Sequence, residues 1–175
     1  GYDKTTVQGT TIVGLFGETG ASVDTLAAGA KGYIALASTP FYLEAGGQVS
    51  DSGRIVSTTA LPGERSGSDG SIATVERLVR PSQARPRLHL ARVESGAFKR
   101  GQIVTAEVVD EVRDATRRNH TATHLLHAAL RQVLGPHVKQ AGSLVAPDRL
   151  RFDFVHVAAV TRDEILRIER IVSEQ

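Results

Sequence analysis

The 175-residue sequence predicts an α+β fold in which a small N-terminal β-barrel precedes a truncated core of helix, antiparallel hairpin and helix. Over the first 110 residues, short apolar or β-branched runs alternate with turns rich in Gly and Pro, which is typical of small barrels. The pattern then becomes helical until Gly135-Pro136, and Thr161-Arg162-Asp163-Glu164 is a capping box that opens a second helix. We therefore predict a barrel domain at residues 1–112 and the α+β core at 113–175.

The barrel part contains runs that read as strands. They are Thr10–Phe16, Gly32–Ala37, Arg54–Thr59, Ser71–Val79, Leu88–Val93 and Gln102–Val109. The last two, separated by eight residues, are expected to pair as a long-looped hairpin. Pro62–Ser71 lacks any periodic pattern and is expected to be mobile.

The predicted core begins with a helix from Thr116 to Leu134. Its apolar positions recur at helical spacing and form one stripe: Ala122, Leu125, Leu126, Ala129, Leu130 and Val133. Strands Lys139–Val145 and Leu150–Val157 follow, joined by a short turn at 146–149. The second helix presents an apolar face that contains Ile165 and Ile168.

Composition excludes several classes of protein. With 41% hydrophobic and 23% charged residues, the chain fits a globular protein rather than a disordered one. A membrane span and a signal peptide are not supported, because no apolar run is long enough and no charged-then-apolar leader opens the sequence. The absence of Cys excludes disulfides and thiolate zinc sites within these residues. Since the chain has no Met and begins at Gly1, we expect it to be a fragment of a longer protein.

Charge is unevenly distributed along the chain. Residues 1–70 carry a net charge of −3, whereas residues 71–175 carry +5. Most of the excess lies between Val112 and Arg151, with 7 basic and 2 acidic side chains. Such a region suits a polyanion such as RNA, although an ordinary solvated surface has the same appearance.

Two histidines on the first helix have the spacing of metal ligands. His120 and His124 are i, i+4 neighbours, so both imidazoles can reach one ion. Together with His127 they are predicted to lie opposite the apolar stripe, and two or three solvent-facing histidines without a ligand would give the same pattern. A metalloprotease is excluded, because Thr121 stands where that motif needs a glutamate base.

Four segments in order resemble one family. Asn119–Arg131 closely resembles the metal-binding helix of the alanyl-tRNA synthetase editing domain, and Val138–Val145 with Arg149–Phe154 resembles the hairpin that follows it. Thr39–Gly53 is similar to the family's glycine-rich motif, and Gly1-Tyr2-Asp3 to its lead-in to the barrel. The resemblance spans nearly the whole chain.

The resemblance implies an activity and its partners. Alanyl-tRNA synthetases attach alanine to tRNA(Ala) with ATP, and hydrolyse mischarged Ser-tRNA(Ala) and Gly-tRNA(Ala) in a separate editing domain. Nothing here resembles the aminoacylation site, so ATP binding is expected only in the missing catalytic domain. The implied partner is tRNA(Ala), the implied cofactor is zinc, and the implied location is the cytoplasm, with no membrane contact.

The resemblance also assigns site residues. His120 and His124 match two of four zinc-ligand positions, and the remaining Cys and His ligands are expected downstream. Thr123 would size the amino-acid pocket and Gln140 would recognise serine, while the catalytic group stays unassigned. Because two imidazoles alone make a weak site, the isolated fragment is expected to hydrolyse mischarged tRNA poorly or not at all.

Further candidates belong to RNA binding. The segment that contains Gly46, Gly47 and Gln48 has two interpretations. It could bring the backbone close to the tRNA end or to the other subdomain, or it could form a tight turn between barrel strands. Candidate phosphate contacts are Arg117, Arg118, Lys139, Arg149 and Arg151. Asp153 alternates with two phenylalanines in its strand and has no assigned role. Two alternatives remain open: a free-standing alanyl-tRNA editing hydrolase, and a tRNA-binding module without chemistry.

Overall fold

The computed structural model of the chain describes residues 4–57, 70–82 and 86–174. These residues form ten strands and two helices. They divide into two compact units: the first comprises residues up to Glu44 and Ser50–Asp110, and the second comprises Ala45–Val49 and residues from Glu111 onward. The predicted fold class, a small barrel followed by an α+β core, is confirmed.

The first unit is a closed antiparallel barrel. Its strands are β1 (Thr6–Gly17), β2 (Thr25–Ala27), β3 (Lys31–Leu36), β4 (Gly53–Ser57), β5 (Ser71–Val79), β6 (Leu88–Ser95), β7 (Ala97–Lys99) and β8 (Ile103–Val108). Six of them close the barrel in the order β1-β3-β6-β5-β4-β8, and β2 and β7 pair separately. Closure leaves no unpaired edge among these six strands.

Alternating side chains fill the barrel. In β5, for example, Ser71, Ala73 and Val75 are buried, whereas Ile72 and Thr74 between them are partly exposed. This period of two places one face of each strand in the core and the other towards solvent. Each predicted barrel strand overlaps an observed one, and the short strands β2 and β7 were not predicted.

The predicted hairpin between Leu88–Val93 and Gln102–Val109 is wrong. Strand β6 pairs with β3 and β5, whereas β8 pairs with β1 and β4, so the two strands are not neighbours. The reason lies in the connection, because its residues Ala97–Lys99 form β7 and pair with β2. Phe98 in that strand is fully buried in the barrel core, which prevents the connection from acting as a free loop.

The second unit contains α1 (Asp110–Leu134), β9 (Lys139–Val145), β10 (Leu150–Val155) and α2 (Arg162–Ser173). Helix α1 begins six residues earlier than predicted; its first turns carry acidic side chains, which the positive end of the helix dipole favours. It ends at Leu134, and the N–H of the following residue, Gly135, donates to the Arg131 carbonyl at 3.0 Å. Strands β9 and β10 form an antiparallel hairpin as predicted.

The core of the second unit lies between its helices and the hairpin. Its buried residues are Ala129, Leu130, Val138 and Ile168, with Phe152 and Phe154 of β10 packed against them. The predicted capping box is present on α2: the Thr161 side chain accepts from the Glu164 N–H, and the Glu164 carboxylate accepts from the Thr161 N–H at 2.8 Å. The bond from the Thr161 N–H, and after it a second bond that the Thr161 hydroxyl donates to the same carboxylate at 2.8 Å, hold the pKa of Glu164 below its usual value.

Most of Pro62–Ser71, which was predicted to be mobile, lies outside the described residues. Neither helix in the described part of the chain combines the length and apolarity that a membrane crossing needs.

One buried histidine fastens the segment that leaves the barrel after β3. His89 is fully buried, and its Nδ1 donates to the Ile34 carbonyl at 2.8 Å, since a carbonyl can only accept. Its Nε2, 2.7 Å from the Thr39 hydroxyl, therefore accepts, and the Thr39 oxygen in turn accepts from the Phe41 N–H. Burial lowers the pKa of His89 to about 4, and the charge of Arg87 acts in the same direction.

We expect the chain to lose stability in acid through His89. The unfolded histidine takes up a proton near its ordinary pKa of 6.5, whereas the folded one does so only near pH 4, so stability falls as the pH drops between these values. The loss should reach about 2–3 kcal/mol between about pH 7.5 and about pH 4.5 in urea unfolding. His89→Asn keeps a donor for the Ile34 carbonyl without a titrating ring, so its pH dependence should be flatter by that amount. An equal acid loss in both proteins would contradict this account.

Candidate functional site

The second unit contains a small cavity of about 110 Å³ that is partly open to solvent. Helix α1, the β9–β10 hairpin and the turn within Ala45–Val49 line it together. The lining residues are Gly46, His120, Thr123, His124, His127, Gln140, Ser143, Val145 and Phe152. The structure thus brings together five of the predicted candidate site residues, Gly46, His120, Thr123, His124 and Gln140, from positions nearly a hundred residues apart.

Helix α1 contributes four side chains from one face. His120, Thr123, His124 and His127 stand at i, i+3, i+4 and i+7, so they follow one another along the helix. The rings of His120 and His124 stack with centroids 5.0 Å apart and planes 26° apart, and both residues are exposed. Both imidazoles are therefore accessible to one common ligand.

His127 differs from the other two histidines of this face. It is half-buried, and its ring lies 5.1 Å from the ring of Phe152. Its Nε2 is, within the described residues, the one buried side-chain nitrogen or oxygen without a hydrogen-bond partner. Of the two or three histidines that the alternative interpretation places towards solvent, His120 and His124 are exposed, whereas His127 is not, because the hairpin covers this part of the helix face.

Thr123 is held by the helix itself. Its side chain is nearly buried, and its hydroxyl donates to the Asn119 carbonyl one turn earlier at 2.8 Å. The Asn119 amide donates to the carbonyls of Ala146 and Pro147, at 2.7 and 3.2 Å. These bonds attach the middle of α1 to the turn of the hairpin, so helix and hairpin face each other across the cavity.

A chain of hydrogen bonds forms the opposite side of the cavity. The Gln140 amide donates to the Ser143 hydroxyl at 3.0 Å, and that hydroxyl donates to the Gly46 carbonyl at 3.1 Å. Asp153 takes no part in this arrangement, because its carboxylate lies 3.0 Å from the Arg151 guanidinium.

The glycine-rich segment forms a tight turn that docks on β9. Ala45 and Gln48 exchange backbone hydrogen bonds, and the two glycines between them have φ of +60° and +84°, as a type I′ turn requires. The Gly47 carbonyl accepts from the Val145 N–H at 2.8 Å. A Cβ on Gly47 would lie 2.3 Å from the Ser143 carbonyl oxygen, so glycine is required there. Gln48 is buried, and its backbone pairs with Val145 like an added parallel strand.

The predicted phosphate contacts lie outside the cavity lining. Arg149 and Arg151 pair with neighbouring carboxylates at 2.9 and 3.0 Å, and Arg117 lies 3.5 Å from Asp114. Arg118 and Lys139 are exposed. Ion pairs as exposed as those of Arg149 and Arg151 contribute little to stability. The role of all five side chains in phosphate binding stays a prediction.

Sequence reasoning missed Ser143 as a site residue. Strict alternation in β9 would place Gln140 and Ser143 on opposite faces of the hairpin. The register shifts between Asp153 and Phe154, however, which leaves Ala141 without a partner in β10 and returns both side chains to one face. No residue pattern in this segment predicts that bulge.

Comparison with known proteins identifies the family. Residues 1–113 match the family model of tRNA synthetases class II (A), and the chain belongs to this family. Its relatives include the alanine–tRNA ligase of Oleidesulfovibrio alaskensis, 49% identical over 173 residues, which are 99% of this chain and 18% of that protein. The alanine–tRNA ligases of Halorhodospira halophila and Nitratidesulfovibrio vulgaris are each 47% identical, over 94% and 99% of this chain and 17% and 18% of their own lengths. The resemblance to alanyl-tRNA synthetases is confirmed, and the chain spans less than a fifth of these relatives.

Gly47→Ala should weaken the second unit severely. The new methyl group would meet the Ser143 backbone and hydroxyl at 2.3 and 2.5 Å, and the residue would also keep a left-handed conformation. We expect urea unfolding of the chain to show a loss of more than about 3 kcal/mol. Gly46→Ala is the matched control, because it has the same kind of φ with open space around it and should cost about 1 kcal/mol. Equal losses for the two variants would show that the docking contact is unimportant.

Proposed function

We propose that the chain is part of an alanyl-tRNA synthetase and that its second unit belongs to the region that hydrolyses mischarged Ser-tRNA(Ala) and Gly-tRNA(Ala). The cavity in which His120 and His124 face Gln140 carries this proposal. The full-length protein would attach alanine to tRNA(Ala) with ATP, and the matched relatives, which are named alanine–tRNA ligases, support that assignment.

The size and polarity of the cavity suit a small aminoacyl group. At about 110 Å³ it is well below the roughly 300–1,000 Å³ of pockets for larger ligands. Its polar lining suits the discrimination that editing requires, since an apolar pocket separates serine from alanine poorly. The half-buried Phe152 and buried Val145 supply an apolar wall against which a small side chain would pack.

The two exposed imidazoles fit half of a zinc site. They offer two nitrogen donors from adjacent turns of one helix, which is a frequent arrangement around zinc. Within the part of the chain that the structure describes, no group of three or more His, Cys, Asp or Glu could hold a metal ion. The remaining ligands would lie in the much larger part of the synthetase outside this sequence. Zinc bound with an open position would polarise the ester carbonyl or lower the pKa of a bound water.

The chain's own residues would position the substrate beside that site. Thr123 lies between the two histidines in sequence and presents its side chain to the same cavity. Gln140 faces it from β9 and is fixed through Ser143. These side chains would orient the aminoacyl group so that its ester is near His120 and His124, while the exposed basic residues of this unit would attract the tRNA.

Two alternatives are separable from this proposal. The first is a tRNA-binding module without catalytic activity. The excess of basic side chains between Val112 and Arg151 favours it, because this positive charge would bind tRNA whether or not an ester is hydrolysed. A free-standing editing hydrolase shares the motifs, but the matched relatives are ligases.

Replacing both His120 and His124 by Ala in the full-length synthetase tests the proposal. We expect zinc content to fall from stoichiometric to near zero, and hydrolysis of Ser-tRNA(Ala) to fall by more than about 100-fold, while alanylation persists. His137→Ala is the control, since His137 is an exposed histidine of the same unit that bonds His156 rather than lining the cavity. Unchanged zinc content and hydrolysis in the double variant would contradict the proposal and favour the binding module. The isolated 175-residue chain should turn over poorly, and rapid turnover by it would also count against an incomplete zinc site.

A further inference from the structure

We infer that the cavity binds an aminoacyl group through hydrogens that the ligand donates, and that Ser143 is the positioning residue that holds the amide nitrogen of Gln140 and leaves Oε1 as the acceptor for the ligand. This inference rests on the proposed editing function and specifies what the site recognises. It follows from the direction of the hydrogen bonds around the cavity, which the backbone fixes.

The Gly46 carbonyl sets the direction on the hairpin side. A carbonyl oxygen can only accept, so the single hydrogen of the Ser143 hydroxyl is donated to it. The Ser143 oxygen must then accept a hydrogen bond from the Gln140 side chain. The Gln140 atom that lies 3.0 Å from it is therefore the amide nitrogen, which can donate. A flipped amide would put two oxygens together with no hydrogen between them, so Oε1 of Gln140 is the oxygen left for a ligand.

The helix side follows the same rule. The Thr123 hydroxyl donates its single hydrogen to the Asn119 carbonyl, so only lone pairs remain on its oxygen. Both hydroxyl groups of the lining have thus given their hydrogens to backbone carbonyls, at Gly46 and at Asn119. Gln140 retains Oε1 and one further amide hydrogen, and the polar surface of these three residues is dominated by acceptors.

Ser143 holds this arrangement in place. Gln140 is exposed, and a free glutamine side chain samples many rotamers at an entropic cost to any ligand that must order it. The bond to Ser143 restricts those rotamers before the ligand arrives. Ser143 is itself fixed by the docked turn, because Gly47 lies against its backbone.

The cavity should therefore select an aminoacyl group whose small side chain donates a hydrogen bond. A seryl group supplies the hydrogen of its hydroxyl in addition to those of its ammonium group, whereas a glycyl group supplies only the latter. A 3-fluoroalanyl group has nearly the size of seryl, but its fluorine has no hydrogen to donate. A site arranged to accept a hydrogen bond should reject that analogue.

The test compares three substrates in the full-length synthetase. Short RNA duplexes that end in the tRNA(Ala) acceptor sequence are charged with serine, glycine or 3-fluoroalanine, and kcat/KM is measured for deacylation. The wild type should hydrolyse the seryl ester at least about tenfold faster than the 3-fluoroalanyl ester, the factor for one hydrogen bond. Ser143→Ala should reduce the seryl value about tenfold more than the glycyl value, mostly through KM. Gln140→Leu, at an exposed position, should give the same selective loss without a folding defect.

Ser173→Ala is the matched control, since Ser173 also donates its hydroxyl to a backbone carbonyl, that of Glu169, but lies on α2 and outside the cavity lining. It should leave all three values unchanged. Equal wild-type rates for seryl and 3-fluoroalanyl esters, or equal losses for seryl and glycyl esters in both Ser143→Ala and Gln140→Leu, would overturn this inference and leave the editing function standing. If the wild type hydrolyses none of the esters, the proposed function and this inference both fail.

Discussion

The approach of the Gly47 backbone to strand β9 is the constraint on which the cavity depends. The turn at 45–48 lies so close to Ser143 that no side chain fits between them, and the Gly47 carbonyl accepts from the Val145 N–H. This contact brings the Gly46 carbonyl within reach of the Ser143 hydroxyl. The direction of every hydrogen bond on the hairpin side of the cavity then follows, because a carbonyl oxygen cannot donate.

The helix meets this arrangement with side chains that are fixed in a similar way. Thr123 bonds the preceding turn of α1, and Asn119 bonds two carbonyls of the hairpin turn. Backbone carbonyls therefore hold the polar groups on both sides, which suits a site that must be preorganised before its ligand binds. In the same lining, the buried Nε2 of His127 has no hydrogen-bond partner, which is rare for a buried polar atom.

Much of the fold could be predicted from the sequence, because its signals are local. The alternation of apolar residues predicted the barrel strands, Gly135 predicted the end of α1, and Thr161 with Glu164 predicted the capping box. The separation of β6 from β8 could not be predicted, because no local signal shows that their connection forms β7 and places Phe98 in the barrel core. The candidate site likewise has a part that could be predicted and a part that could not. The shared helix face of His120 and His124 could be predicted, because it depends only on helical spacing. Ser143 required a bulge at Ala141 and a docked turn from a distant segment, and neither has a local signal.

The most direct test of this account is a crystal structure of the full-length synthetase with a non-hydrolysable amide analogue of seryl-adenosine. We expect the seryl group to occupy the cavity between α1 and β9, with its hydroxyl hydrogen-bonded to Oε1 of Gln140 and its amide carbonyl beside His120 and His124. An analogue bound elsewhere, or bound here with its side chain turned away from Gln140 and Thr123, would contradict it.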